Sequence, residues 1–314
     1  MPAEALSEEP RALVGETFGA GLGFAMVSAA SFAASRTLAS GLLQADWSPA
    51  LAVTIRITIG ALVLLPATLF ALHGRWRILT DHAGTIILYG LLAVVLPQTC
   101  YFCAIERLPV GPALLIEYVA PIVVVVWQWG RHGQRPTPLT VGGTFVSMAG
   151  LLLVLGLTTD TPLDPIGVLW ACFGLIGAVA YWLLSGRVDI ALPPMALAGG
   201  GLAVGSVMLW ALGIAGILPL VIGDALAAYG GAAVPAWVAL GALGVVSAAL
   251  AYSSGIAATR RLGSRLASFI GLSEVVLAFT FAWLLLGQTP TSTQAVGALL
   301  VLGGVVLVKL GEPV

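Results

Sequence analysis

Ten apolar stretches follow one another along the chain with only short polar gaps, near residues 17–39, 48–72, 84–104, 109–130, 138–157, 165–187, 195–218, 234–258, 262–286 and 293–310. About 20 residues, rising about 1.5 Å each, cross a hydrocarbon layer some 30 Å thick. Backbone N–H and C=O groups find no partner in lipid, so each stretch must satisfy its own by forming a helix. Strands of a membrane barrel would be about 10 residues long with alternating polarity, and no such pattern is present.

A large water-soluble core is excluded by charge. Only 9% of the 314 residues are charged and 59% are hydrophobic, with a mean hydropathy of +1.05. Soluble domains carry about 25% charged residues, so lipid must cover much of this surface. A net charge of −1 offers nothing to a nucleic acid. Glu4, Glu8, Glu9 and Glu16 stand where a cleaved signal peptide needs basic residues. Residues 1–16 therefore read as a cytoplasmic tail.

Basic residues give the orientation, because cytoplasmic loops retain Lys and Arg. With both termini in the cytoplasm, ten of the 13 basic residues fall inside: Arg11, Arg75, Arg77, Arg131, Arg135, Arg187, Arg260, Arg261, Arg265 and Lys309. Arg107 falls outside, Arg36 sits near an outer helix end, and Arg56 lies within a helix. The outer loops carry Asp46, Asp160, Asp164 and Asp224.

The turn Gly-Gln-Arg-Pro-Thr at 133–137 returns as Gly-Gln-Thr-Pro-Thr at 287–291, an offset of 154. At that same offset Leu108 meets Leu262, Trp129 meets Trp283, Gly143 and Gly150 meet Gly297 and Gly304, and Leu153-Val154 meets Leu307-Val308. The expected architecture is an all-α integral membrane protein of ten transmembrane helices, built as two five-helix repeats over 17–157 and 165–310. Five is odd, so the second copy enters the membrane inverted. Inverted repeats can exchange conformations about a central site, which favours a secondary transporter.

Several stretches carry a family resemblance: "TIRITIGAL" around Arg56, "RLPVGPALLIEYVAP" after Tyr101–Ala104, and "TRRLGSRLASFIGLSEVVLAFTFAWLLLGQ" in the second half. Over nearly its whole length the chain resembles an EamA-domain permease of the drug/metabolite transporter superfamily. That family has a Glu-Pro pair in its fourth and ninth helices and a Leu-Gly-Glu at the repeat end. Here the pair is Ala120-Pro121 in one copy and Glu274-Val275 in the other, and Gln134 and Gln288 replace the final Glu. The resemblance implies export of amino acids or similar metabolites, threonine and homoserine among them, across the plasma (inner) membrane.

Ionisable groups inside a membrane are the first candidates for a substrate path, because burying them is costly. Arg56, Glu117 and Glu274 meet that description, with Arg36 a fourth nearer the outer surface. Polar and aromatic neighbours on other helices are Gln98, Tyr101, Trp182 and Tyr252. Together these seven, without Arg36, make the expected substrate-binding set, suited to a zwitterionic small molecule. Glu274, near the midplane, is the candidate for proton coupling. Each has a structural alternative. Arg56 pairs only with Glu117, Glu274 is a hydrogen-bond partner, and Tyr181, Trp182 and Tyr101 are interface anchors. Pro97 should bend the third helix. Gly199–Gly201 and Gly205 should let helices approach closely.

No cofactor or metal is expected. Cys100 and Cys103 spell a CxxC in an apolar helix with no second ligand pair. Gly19–Gly23 lacks the strand and spacing of a nucleotide loop. His73, His82 and His132 fall in loops, and no Walker motif appears. A membrane enzyme would need a clustered nucleophile, base or metal set, which is not found. A structural membrane subunit is the remaining alternative. Substrate, direction, coupling ion and oligomeric state are not encoded legibly. The expected partners are the lipid bilayer and a small-molecule substrate.

Overall fold

The computed structural model describes residues 5–156, 163–188, 191–229, 232–287 and 289–312. Asp160 and Gln288 lie outside them. The first half contains α1 (Ala5–Gln44), α2 (Pro49–Leu72), α3 (Arg77–Asp81), α4 (Ala83–Tyr89), a π-helical segment (Gly90–Val95), α5 (Leu96–Ile105), α6 (Val110–Glu117), α7 (Ala120–His132) and α8 (Pro138–Leu155). The second contains α9 (Pro165–Ser185), α10 (Pro194–Ile214), strands β1 (Leu226–Tyr229) and β2 (Ala232–Pro235), α11 (Ala236–Gly244), a second π-helical segment (Val245–Leu250), α12 (Ala251–Gly271), α13 (Ser273–Leu286) and α14 (Ser292–Gly311). Among the described residues, nine helices are long and apolar enough to cross a membrane, and Ser273–Leu285 is a shorter apolar one.

Three features refine the sequence reading. The stretches expected at 234–258 and 262–286 meet at Gly263, whose non-helical backbone (φ 78°, ψ 157°) kinks the chain there, and the second stretch is interrupted again at Leu272 before α13 begins at Ser273. Glycine is needed at Gly263, because other residues are excluded from that backbone region. The chain is also not purely helical. Strands β1 and β2 form an antiparallel hairpin, with Leu226 opposite Pro235 and Tyr229 opposite Ala232. The hairpin leans on α1, where the Tyr229 hydroxyl donates to the Leu38 carbonyl, and Ala227 packs with Leu42, Ala236 and Leu243. Finally, α1 runs on to Gln44, past the expected end at residue 39.

Caps explain the repeated turn. Gly133 and Gly287 both adopt the left-handed conformation, at φ 68° and 70°, and close α7 and α13. This is the usual task of a glycine just past a helix end. Thr137 and Thr291 then cap α8 and α14, accepting from Thr140 N and Gln294 N. Gln294 returns the bond to Thr291 N at 3.0 Å, completing a capping box. Asp164 caps α9 in the same way, and its bonds from Ile166 and Gly167, with Arg107 nearby, hold its carboxyl below the usual range.

Helices α8 and α14 meet through the glycines that the repeat aligns. A Cβ on Gly143 would stand 2.6 Å from the Gly304 carbonyl oxygen, and one on Gly150 would stand 2.6 Å from that of Gly297. Ascending residues of α8 meet descending residues of α14, so the two equivalent helices run antiparallel. Each contact maps onto the other when the repeats are exchanged. Small residues permit this approach, and dispersion between close backbones holds it in lipid. The second glycine run serves α10: Gly200 faces Ile86, Gly201 faces Tyr89 and Gly205 faces Val94. Those contacts belong to the largest core cluster, which includes Ile57, Tyr89, Val94, Leu202, Tyr252 and Ile256.

Gly150→Leu should lower stability by about 1–3 kcal/mol through overpacking. Gly142→Leu should not, because nothing lies within 4 Å of a Cβ there. Thermal unfolding of the purified variants checks this; equal midpoints for the two would refute the close α8–α14 contact.

Candidate functional site

Two helices break where the repeats correspond. The first break falls at Tyr118-Val119 between α6 and α7, and the second at Leu272 between α12 and α13. Positions 118 and 272 are again 154 apart. Backbone bonds over the breaks shorten to three-residue spans: Val119 N to Ile116 O, Leu272 N to Phe269 O and Val275 N to Leu272 O. Interrupted membrane helices occur where backbone lines a cavity rather than lipid.

A cavity of about 540 Å³ lies beside both breaks. All seven expected residues line it: Arg56, Gln98, Tyr101, Glu117, Trp182, Tyr252 and Glu274. They arrive on α2, α5, α6, α9, α12 and α13, so both halves of the chain contribute. Helix α1 adds a face of which the sequence reading named only Arg36, with Ser28, Phe32 and Ser35 spaced along it as well. The spacing of 28, 32 and 35 is the helical i, i+4, i+7 pattern, which was the available signal. The wall extends from Leu43 and Pro49, beside the α1–α2 loop, to Ala258 and Ala267 on either side of Gly263.

Aromatic rings form one side. Phe32 meets Tyr252 edge-on at 5.3 Å, Tyr181 meets Tyr252 at 5.7 Å, and Tyr181 meets Trp182 at 4.8 Å between centroids. Tyr181 is buried among them, which removes the interface-anchor reading for Tyr181. An anchor would hold its polar tip in the headgroup layer. Gln98 lies within hydrogen-bonding reach of the Tyr252 hydroxyl. Pro97 does follow an irregularity: it sits just after the π-helical segment and packs against Gly177.

The charges pair differently from the expectation. No ion pair joins Arg56 to Glu117 among the described residues. Arg56 is 6% exposed, and its Nη1 donates to Ser35 Oγ at 2.7 Å. The intramembrane ion pair is Arg36 Nη2 with Glu274 Oε1, at 3.7 Å. Tyr118 bridges it. Its hydroxyl accepts from Arg36 Nη2 and donates to Glu274 Oε1 at 3.2 Å. Because α1 continues to Gln44, Arg36 lies eight residues inside the helix end, about 12 Å from it, rather than near that end as expected. Tyr118 escaped the sequence reading, although Pro121 in the first turn of α7 marks a new helix start and hence a break just before it.

Past the far end of the cavity two more arginines tie elements together. Arg260 Nη1 donates to the Leu192 carbonyl at 2.6 Å. Arg265 Nη2 donates to the Gln134 carbonyl at 2.9 Å, and its Nη1 pairs with Glu312 at 3.4 Å. Among the described residues, no group of three or more His, Cys, Asp or Glu could hold a metal ion. Cys100 is buried, and it and Cys103 form no disulfide.

The EamA-like transporter family matches the chain twice, over residues 19–156 and 165–310. The chain belongs to the EamA-like transporter family. As a member it is a multi-pass membrane transporter working in a lipid bilayer on a small-molecule substrate. It is 26% identical over 295 residues to the threonine/homoserine exporter RhtA of Escherichia coli strain K12, covering 91% of this chain and 89% of that one. It is 22% identical over 274 residues to the uncharacterized inner membrane transporter YicL of Salmonella typhimurium, covering 85% and 87%. A protein of known crystal structure superposes with a TM-score of 0.72 at 20% identity, covering 94% of this chain and 97% of its own. That likeness shows the fold alone.

A double-mutant cycle distinguishes the observed pairing from the expected one. Arg36→Ala with Glu274→Ala should show a coupling of about 0.5–3 kcal/mol in thermal stability, and Arg56→Ala with Glu117→Ala should show less. The reverse order would contradict the Arg36–Tyr118–Glu274 bridge.

Proposed function

We propose that this protein is a secondary exporter of a small zwitterionic metabolite of the amino-acid class, acting in the plasma (inner) membrane. Its ten crossings form two inverted five-helix repeats, over residues 17–157 and 165–310, with residues 1–16 and the C-terminus in the cytoplasm. The observation that carries this reading is the cavity between the repeats, where two arginines and two carboxylates face aromatic rings beside two broken helices. A zwitterion matches such a lining, because its opposite charges meet opposite partners and its side chain meets the rings. The antiparallel α8–α14 contact supports the inversion, and the name of the RhtA relative supports the substrate class.

Arg56, Gln98, Tyr101, Glu117, Trp182, Tyr252 and Glu274 form the substrate path. Access alternates between the two sides. In the present arrangement the cavity reaches the α1–α2 loop, which the charge pattern places outside. The Arg260 and Arg265 contacts close the cytoplasmic end. Opening inward requires those contacts to part. The Arg36–Tyr118–Glu274 bridge rearranges at the same time.

Two experiments test this reading. In a cysteine-free background, cysteines at 289 and 290 should react with an impermeant thiol reagent from outside the cell, and those at 132–135 should not. The opposite labelling would overturn the inversion. In proteoliposomes, L-threonine and related amino acids should exchange across the membrane. An imposed pH gradient should drive net movement in the native protein. Glu274→Gln should keep exchange and lose the gradient-driven component. If the variant still concentrates substrate under a pH gradient, Glu274 is not the coupling group; if no amino acid moves at all, the substrate class is wrong.

A further inference from the structure

We propose that Arg36 is the residue that binds the carboxylate of the transported solute, with Tyr118 and Glu274 acting to position it. The inference rests on the zwitterion-exporter reading and assigns within it a specificity role that Arg56 would otherwise hold. Both arginines line the cavity at similar depth, one on α1 and one on α2. Their surroundings separate them.

Arg56 is committed to the protein. It is 6% exposed, its Nη1 is engaged by Ser35, and its Nε, though without a hydrogen-bond partner, is buried out of a solute's reach. A solute in the cavity therefore meets little of its guanidinium. Arg36 has the opposite character, with its side chain 40% exposed. Of its five N–H donors, the contacts that hold it converge on Nη2, which donates to Tyr118 and faces Glu274. Among the described residues, no hydrogen bond is made by Nη1 or Nε.

The bridge also explains how an exposed arginine keeps one geometry. Tyr118 sits on the short turn between α6 and α7, and its hydroxyl has a single acceptor, Glu274 Oε1. Its ring lies near the guanidinium, with 5.9 Å from Arg36 Cζ to the centroid. Arg36 is therefore anchored from one end while its other donors face the cavity. The 3.7 Å separation from Glu274 exceeds a direct hydrogen bond, so the carboxylate neutralises Arg36 without occupying its fork. Glu117, on the adjoining turn of α6, makes no hydrogen bond or ion pair among the described residues and lines the same cavity. It can receive the ammonium of the solute whose carboxylate Arg36 holds.

The test compares L-threonine with L-threoninamide, which keeps the amine and side chain and lacks the carboxylate. Each competes against labelled L-threonine exchange in proteoliposomes of the full-length protein. In the native protein the amide should compete about tenfold or more weakly, the scale of a lost charge-assisted hydrogen bond. Arg36→Gln should bring the acid-to-amide ratio close to one, and Arg36→Lys should restore part of it. Arg56→Gln should keep the ratio even where the rate falls. Should Arg36→Gln fail to fold, Tyr118→Phe gives the answer independently, because loosening Arg36 should weaken the acid several-fold and leave the amide unchanged. A ratio that survives Arg36→Gln, or that collapses in Arg56→Gln alone, would overturn the assignment. So would a native protein that does not distinguish acid from amide while still exchanging threonine, an outcome that leaves the exporter reading intact. Absence of exchange with any amino acid would remove the exporter reading and this assignment together.

Discussion

A backbone amide in hydrocarbon has only its own chain to bond with, and the architecture follows from that constraint. Every membrane crossing must be a helix, and a helix can be interrupted only where water or protein takes over from lipid. The chain uses this permission at Tyr118-Val119 and at Leu272. Each interruption is short enough that three-residue backbone bonds carry most of the load. Both lie against the cavity. The backbone constraint thus marks the cavity independently of any side chain.

Charge inside the bundle obeys a related rule. A lone intramembrane charge is expensive, and pairing or hydrogen bonding offsets the cost. Arg36 and Glu274 meet this through Tyr118, and Arg56 through Ser35. Two of those five side chains, Ser35 and Arg36, come from α1, which packs closely against both α12 and α13. The first helix of one repeat is therefore electrostatically bound to the fourth helix of the other. Motion of one repeat against the other must be felt at that bridge.

Much of this was legible before any coordinates. Apolar length located the spans, and the recurrent Gly-Gln-x-Pro-Thr located the repeat, because its Gly and Thr have capping tasks that composition cannot hide. The seven residues expected at a substrate path do share one cavity. What escaped has physical reasons. The helix breaks lie within unbroken apolar runs, where hydropathy carries no information about direction. The hairpin is written in Ala, Val and Leu, the same alphabet as the helices, with only the Gly230-Gly231 pair between the strands to signal it. The pairing of Arg36, rather than Arg56, depends on how helices are rotated in three dimensions. No spacing along one helix reports that.

The two π-helical segments bear on how the cavity could be re-engineered. Gly90–Val95 and Val245–Leu250 occupy corresponding places in the two halves, yet their side chains have little in common. A π turn accommodates one extra residue and rotates everything beyond it by about 100°. Downstream of each turn come Gln98 and Tyr101 in one half and Tyr252 in the other. Removing a single residue from either turn would restore a regular helix and swing those side chains out of the cavity, with the apolar length of the span barely altered. Here a one-residue deletion changes the phase of a helix while leaving its place in the bilayer untouched.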